Sequence, residues 1–285
     1  VAGFPVNFFK SSYGKKREGI FNWLSELGLN ILELQCTYGV RMKDEQAYRY
    51  LELSKKHNIT LTIHAPYYVN LGSLKESTVE NSINELKKAF ELAKKIEAKK
   101  IIFHPGGGHG KNREEGIKRI IDNLNKLKKE INIDDIKIYP EIGGKVASLG
   151  SLDEIITICK HVDFAFPCLD LAHLHARENG SLVDKEAIVK VLGRIETELS
   201  REHLEGTHFH MYPVDYTDGG EKIHKAFGDK RIGQLSMFEE GEYKPLAEDF
   251  VSALKEKGLT PSVVCEAHNT QEIGAMLMKK IFFEK

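Results

Sequence analysis

No run of this 285-residue sequence approaches the ~20 consecutive apolar residues that a membrane-spanning helix needs. Nor does a basic start followed by an apolar core mark a secretory signal, so a cytoplasmic protein without membrane association is the expectation. Cysteine is scarce: Cys36, Cys159, Cys168 and Cys265 show no Cys-x-x-Cys spacing and mostly sit in apolar runs. They read as reduced core thiols rather than disulfides or thiolate ligands. A dominant charge is missing too, with 41 Lys and Arg against 42 Asp and Glu. The resulting net charge of −1 neither announces a nucleic-acid partner nor excludes one held at a local basic patch. No linker, low-complexity stretch or repeat beyond a strand–helix unit divides the chain. No Gly-x-Gly-x-x-Gly follows the first apolar run, which removes the dinucleotide-binding fingerprint.

What is present is an alternation of strands and helices from end to end. Short β-branched or apolar runs predict strands over Val1–Phe4, Asn30–Cys36, Ile59–His64, Lys100–His104, Ile136–Glu141, Val162–Asp170, Gly206–Met211 and Pro261–Glu266. Apolar residues at helical spacing predict helices over Lys16–Leu27, Lys43–His57, Val79–Ala98, Asn112–Glu130, Asp184–Leu199, Leu246–Lys257 and Gln271–Phe283. A further helix is opened by Ser151 with Glu154 at capping-box spacing. Eight strands alternating with eight helices point to an α/β fold, a (β/α)8 TIM barrel forming one domain over residues 1–285. The rival, a doubly wound open sheet, would gather functional residues at one switch point, whereas here they are spread along the chain. One long connection, 212–243, breaks the rhythm; it carries Asp215, Asp218, Glu221, His224 and Asp229, which favours a functional loop.

Ligand-type side chains stand at the carboxyl ends of six successive strands. They are His64, His104, Glu141, Asp170 with His173, His208 with His210, and Glu266. A lone histidine at a strand end is more often a hydrogen-bonded core residue, but six strands in succession are not expected by accident. In a barrel all eight strand–helix loops converge on this face. Imidazoles and carboxylates without thiolate suit zinc, manganese or iron, and their number exceeds what a single ion uses. His210 shares its strand face with His208, so that one would be a ligand and the other its support. His57, His161 and His203 fall on helices or their ends and read as solvated. Glu33 and Gln35 lie on the second strand, Glu33 as a partner for Lys or Arg, and are set aside.

These residues sit in short blocks: His64-Ala-Pro-Tyr-Tyr-Val-Asn-Leu71, Phe103-His-Pro-Gly-Gly107 with His109, Cys168-Leu-Asp-Leu-Ala-His173 and the late Glu266. Arg113-Glu-Glu-Gly-Ile117 and Leu149-Gly-Ser-Leu-Asp153 flank them. The ordered set resembles the endonuclease IV family (AP endonuclease family 2) of the xylose-isomerase-like superfamily, in particular a divergent, archaeal-looking branch. The resemblance runs nearly end to end. It implies a zinc-dependent hydrolase that cleaves double-stranded DNA at abasic sites, expected to be a monomer, with two or three Zn2+ or in their place Mn2+ or Fe2+. Carried over by position, His64 and His104 would hold a first ion and Glu141 would bridge it to a second and act in catalysis. Asp170, His208 and Glu266 would complete the second, and His173 with an Asp-x-His pair would take the third. There the sequence departs from the family: Lys222 stands where the aspartate is expected beside His224, leaving Glu221 or Asp218 to supply the carboxylate. Tyr67 and Tyr68 would enter the duplex as loop aromatics. Arg41, Lys111, Arg113, Lys145 and Lys222 are the candidates for phosphate contacts. A metal-dependent sugar isomerase or epimerase of the same superfamily is the alternative, and a metal-binding protein without catalysis is a third reading.

Overall fold

The computed structural model describes residues 1–107, 112–232 and 240–284; Lys111 and His109 lie outside them. Four parallel strands, β1 (Ile31–Gln35), β2 (Thr60–His64), β3 (Lys100–Phe103) and β4 (Lys137–Pro140), pair in sequence order. A second parallel group holds β5 (Cys168–Asp170) and β6 (His208–His210), with a late strand, Ser262–Val264, beside β6. Backbone bonds join the two groups at both seams. The Ile142 and Phe166 amides donate to the Cys168 and Ile138 carbonyls at 3.1 and 2.9 Å. At the other seam, Gly3 N donates to Glu33 O at 2.9 Å and Ala2 N to Cys265 O at 3.3 Å. The N-terminal segment thus serves as the remaining stave, and the protein is a TIM barrel.

Period-two alternation decides what each strand shows to the barrel interior. Leu32, Leu34, Leu61, Ile63, Phe103, Ile138, Leu169 and Phe209 face outward into the main core. The helices cover that layer; Glu76–Ile96, for example, buries Ile83, Leu86, Phe90 and Ala93 at three- and four-residue intervals. Inward stand residues two apart: Glu33 and Gln35, Thr62 and His64, Ile102 and His104, Tyr139 and Glu141, Cys168 and Asp170, His208 and His210, and Val264 and Glu266. Of the lower members, Ile102, Tyr139 and Cys168 form a small apolar group with Phe166. The upper members, Gln35 apart, are the ligand-type groups.

Several elements differ from the sequence expectation. Val1–Phe4 contributes one paired residue, Ala2, rather than a full strand. The sixth strand is confined to Cys168–Asp170, because Pro167 has no N–H to offer the ladder. Short helices at Val6–Lys10, Leu171–Arg177 and Arg201–Gly206 lie outside the simple alternation. The Ser151 helix does open with a capping box: Ser151 N donates to Glu154 Oε2 at 2.9 Å while Glu154 N donates to Ser151 Oγ at 3.3 Å. The 212–243 connection is not structureless. It forms an antiparallel hairpin of β7 (Val214–Thr217) and β8 (Gly220–His224), then a second pair, β9 (Lys230–Ile232) and β10 (Glu240–Glu242).

That first hairpin leans on the loop after β4. Glu221 N donates to Gly144 O at 2.9 Å and Val146 N to Gly219 O at 3.2 Å. Gly220 has φ of 97°, and a Cβ there would collide with the Gly144 carbonyl, so only glycine fits. A Cβ at Gly144 would sit 2.6 Å from both Glu221 Oε2 and His173 Cδ2. The docking brings a carboxylate and an imidazole from the hairpin over the barrel mouth.

Candidate metal centre

Glu141, 1% exposed, occupies the middle of the site. Its Oε2 lies 2.9 Å from His64 Nε2 and 3.4 Å from His104 Nδ1. Its Oε1 lies 2.8 Å from His210 Nδ1 and 3.7 Å from His173 Nδ1. His210 Nδ1 is also 3.7 Å from Asp170 Oδ2 and 3.8 Å from Glu266 Oε1. Beyond these, Glu221 spans two imidazoles, with Oε2 at 3.2 Å from His173 Nε2 and Oε1 at 2.9 Å from His224 Nε2. The structure therefore brings together His64, His104, Glu141, Asp170, His173, Glu221, His224 and Glu266. It assembles them as adjoining groups, among them His64–His104–Glu141, Glu141–Asp170–His173 and His173–Glu221–His224.

His208 is the residue that geometry moves. Its Nε2 lies 2.9 Å from Glu33 Oε2, one inward layer below the mouth, and it is His210 that meets Glu141. The register gives the reason: His208 pairs with Cys168, and His210 with Asp170.

The hydrogen bonds of three imidazoles show that these residues suit a cation. His64 Nδ1 is 2.8 Å from Ala65 O, His173 Nδ1 is 2.8 Å from Ile142 O, and His224 Nδ1 is 3.0 Å from Glu266 O. A carbonyl only accepts, so each Nδ1 carries a proton, and a neutral ring would then turn its Nε2 lone pair to a carboxylate. Lone pair facing lone pair is unfavourable unless something positive lies between them. Metal-ligating histidines are held by the same bond from the remote nitrogen to a carbonyl.

The charge states report the same demand. Burial works to lower the His64 imidazole, but the Glu141 carboxylate outweighs it and pushes it up to about 9. His173 is likewise pushed up to about 10, against burial, by Asp170, Glu221 and Glu141. Burial prevails at His104, which falls to about 4. Burial would raise the Glu141 carboxyl, yet the surrounding imidazoles hold it well below the usual range. Burial raises Glu266, with His210 opposing.

A cavity of about 360 Å³ opens over the cluster, lined by Tyr67, His104, Gly106, Gly107, Gly143, Gly144, Lys145, His173, Glu221, His224 and Glu266 among others. Tyr67 at its rim is 61% exposed, and the adjacent Tyr68 is 43% exposed. They extend into a ladder, since the Tyr67 ring lies edge-on to Tyr68 and to Tyr38, with centroids 5.7 and 6.3 Å apart. Arg41 is exposed nearby. Arg113 is placed otherwise than a phosphate contact requires. Its guanidinium grips Glu154 at 2.7 and 2.9 Å and donates to the Ser148 and Val146 carbonyls, so it braces the loop after β4. The Lys145 ammonium donates to the Glu221 carbonyl, and Lys222 pairs with Asp215 at 3.2 Å.

Three residues at the site escaped the sequence reading. Glu33 sits under the two histidines, and Gln35 Nε2 lies 3.3 Å from Glu266 Oε1. Tyr212 donates its hydroxyl to Asp170 Oδ2 at 3.0 Å and stacks on His224 with centroids 4.1 Å apart. For Glu33 and Gln35 the signal was their spacing of two on a strand, the same spacing that sets the ligands.

A family model described as xylose isomerase-like TIM barrel matches residues 21–280. The chain belongs to that family. A relative of this xylose isomerase-like protein from Methanocaldococcus jannaschii, itself uncharacterized, is 28% identical over 258 residues, 90% of this chain and 88% of its own. A probable endonuclease 4 of Thermotoga neapolitana is 30% identical over 68% of this chain and 69% of its own. Of another probable endonuclease 4, from Malacoplasma penetrans, the chain spans 41% at 34% identity. The crystal structure of endonuclease IV from Thermus thermophilus superposes with a TM-score of 0.69 at 17% identity, covering 94% of both chains. That of a D-psicose 3-epimerase superposes with a TM-score of 0.63 at 14% identity, covering 99% of this chain and 95% of the other. At such identities the solved structures speak to the fold.

Proposed function

We propose that this xylose isomerase-like protein is a divalent-metal-dependent phosphodiesterase that cleaves double-stranded DNA at abasic sites, with zinc as the metal. The observation that carries the reading is the His173–Glu221–His224 group beside the Glu141 groups. His64, His104 and Glu141 would hold one ion; Glu141, Asp170, His210 and Glu266 a second; His173, Glu221 and His224 a third. Such ions acidify a water and neutralise the negative charge that grows on a phosphodiester as it is displaced. The side chains supply the rest. Glu141 touches most of the imidazoles and keeps its charge. The wall glycines let a sugar–phosphate backbone approach the carboxylates closely. Tyr67 and Tyr68 fill the space from which a nucleotide is turned out.

A sugar isomerase or epimerase would use the inner group of Glu141, Asp170, His210 and Glu266 and leave the His173–Glu221–His224 group without a purpose. The test is a duplex with one abasic-site analogue, incubated with protein whose metal content is measured by elemental analysis, beside a ketohexose assay on the same sample. Cleavage at the analogue that chelator abolishes is the expected result. Sugar turnover without cleavage, or one ion per chain, would overturn the reading.

A further inference from the structure

We infer that Glu33 is a positioning residue of the metal centre, its carboxylate holding the His210 imidazole from below with Nδ1 turned to Glu141, Asp170 and Glu266. The inference rests on the reading that this face binds divalent ions. Glu33 lies on β1, 0% exposed, on the inward face of the barrel. Its partners are imidazole, hydroxyl and amide groups. Oε2 accepts from Thr62 Oγ1 at 3.0 Å and lies 2.9 Å from His208 Nε2. Oε1 accepts from Gln35 Nε2 at 3.2 Å and lies 3.0 Å from His210 Nε2, a contact bent from the line of the ring N–H.

His210 is held differently from the imidazoles around it. His64, His173 and His224 each have their remote nitrogen on a carbonyl, which fixes the ring and its proton. His210 instead stands between carboxylates on both sides, Glu141 at Nδ1 and Glu33 at Nε2. A neutral ring has one proton for two nitrogens. On the Nδ1 side Asp170 and Glu266 join Glu141, making the place where a cation would be drawn. On the Nε2 side Glu33 is the one carboxylate among the described residues, so the proton belongs there and Nδ1 keeps its lone pair for the ion. A carboxylate behind a histidine ligand orients the ring and strengthens it as a donor. β1 carries no ligand of its own but has Gln35 reaching Glu266 as Glu33 reaches His210.

The experiment is metal affinity by competition with a chromophoric chelator for wild type, Glu33→Gln and Glu33→Asp, with Zn2+ and Co2+ as probes. The Co2+ absorption spectrum and the thermal unfolding of the chelator-treated proteins are recorded in parallel. Glu33→Gln is expected to weaken one ion about 10- to 100-fold, the range seen for partners behind metal ligands, and to alter the Co2+ spectrum. Glu33→Asp keeps the charge and should fall between the two. If Glu33→Gln does not fold, Glu33→Asp alone decides, with a several-fold loss expected. Affinities and spectra equal to wild type in every folded variant would overturn the inference, even with a lower unfolding temperature, since a merely structural Glu33 would move only that temperature. A wild-type protein that binds no ion would overturn the metal reading itself, a different and separable failure.

Discussion

Glu221 and His224 stand three positions apart in the hairpin, and their side chains meet at 2.9 Å, Oε1 to Nε2. The same carboxylate reaches His173 with its other oxygen at 3.2 Å. The hairpin register skips position 222, with Asp215 paired to Ile223 and Tyr216 to Glu221; this irregularity sets Glu221 and His224 on one face, while Lys222 points to Asp215. If this group holds an ion, His224→Ala and Glu221→Gln should each remove one ion per chain and most of the turnover. Elemental analysis and a duplex-cleavage assay would show it. Unchanged metal content and cleavage in both variants would leave His224 a bystander.

Glu141 has contacts in every direction of the inner site, to His64, His104, His210 and His173. Glu141→Gln keeps its size and removes its charge. Hydrolysis should fall by about a thousandfold or more, as for a group acting as part of a unit, with the folded state retained by circular dichroism. A loss within about tenfold, equivalent to about 1.4 kcal/mol in the barrier, would contradict its central role.

Stability should depend on pH in stripped protein and much less in loaded protein. The His64 and His173 imidazoles are raised to about 9 and about 10. A raised imidazole stabilises the fold fully below its unfolded value near 6.5, and that contribution is lost as pH climbs through the raised value. His104 and His208, lowered to about 4 by burial, act the other way: they weaken the fold as pH falls from 6.5 toward 4. Chelator-stripped protein should therefore be most stable near pH 6.5 and lose unfolding temperature toward pH 10. Zinc-loaded protein should hold its unfolding temperature over pH 6.5 to 9, where ions replace the protons. A stripped protein whose unfolding temperature is flat from pH 6.5 to 10 would contradict these shifts.

The barrel was legible because six of its eight staves announce themselves twice, by an apolar outward face and a ligand-type inward end. The limits of that legibility are physical. Period-two alternation puts His208 and His210 on one face and cannot say which stands at the level of Glu141. That depends on cross-strand register, His210 against Asp170, which no local pattern encodes. Arg113 looked free to contact phosphate because its partner Glu154 lies 41 positions away. Glu33 looked like a partner for Lys or Arg because His208, which it meets beneath the site, lies 175 positions later. The hairpin was different. Asp218-Gly219 between strand-forming residues is a hairpin signal that the sequence did contain.

The exchange of His208 for His210 gives the sharpest test of that register. His210→Ala removes the imidazole that meets Glu141 at 2.8 Å and should cost one ion and most of the hydrolysis. His208→Ala leaves the mouth intact but takes a partner from Glu33 in a fully buried layer. It should keep the full metal content and most of the activity, while losing about 1–3 kcal/mol of stability for the buried carboxylate left short of a donor. Metal analysis, cleavage rate and urea unfolding on the pair of variants separate the two roles. The converse pattern, an ion lost with His208→Ala and none with His210→Ala, would restore His208 to the ligand set and mean that β6 sits one layer higher in solution than the register here places it.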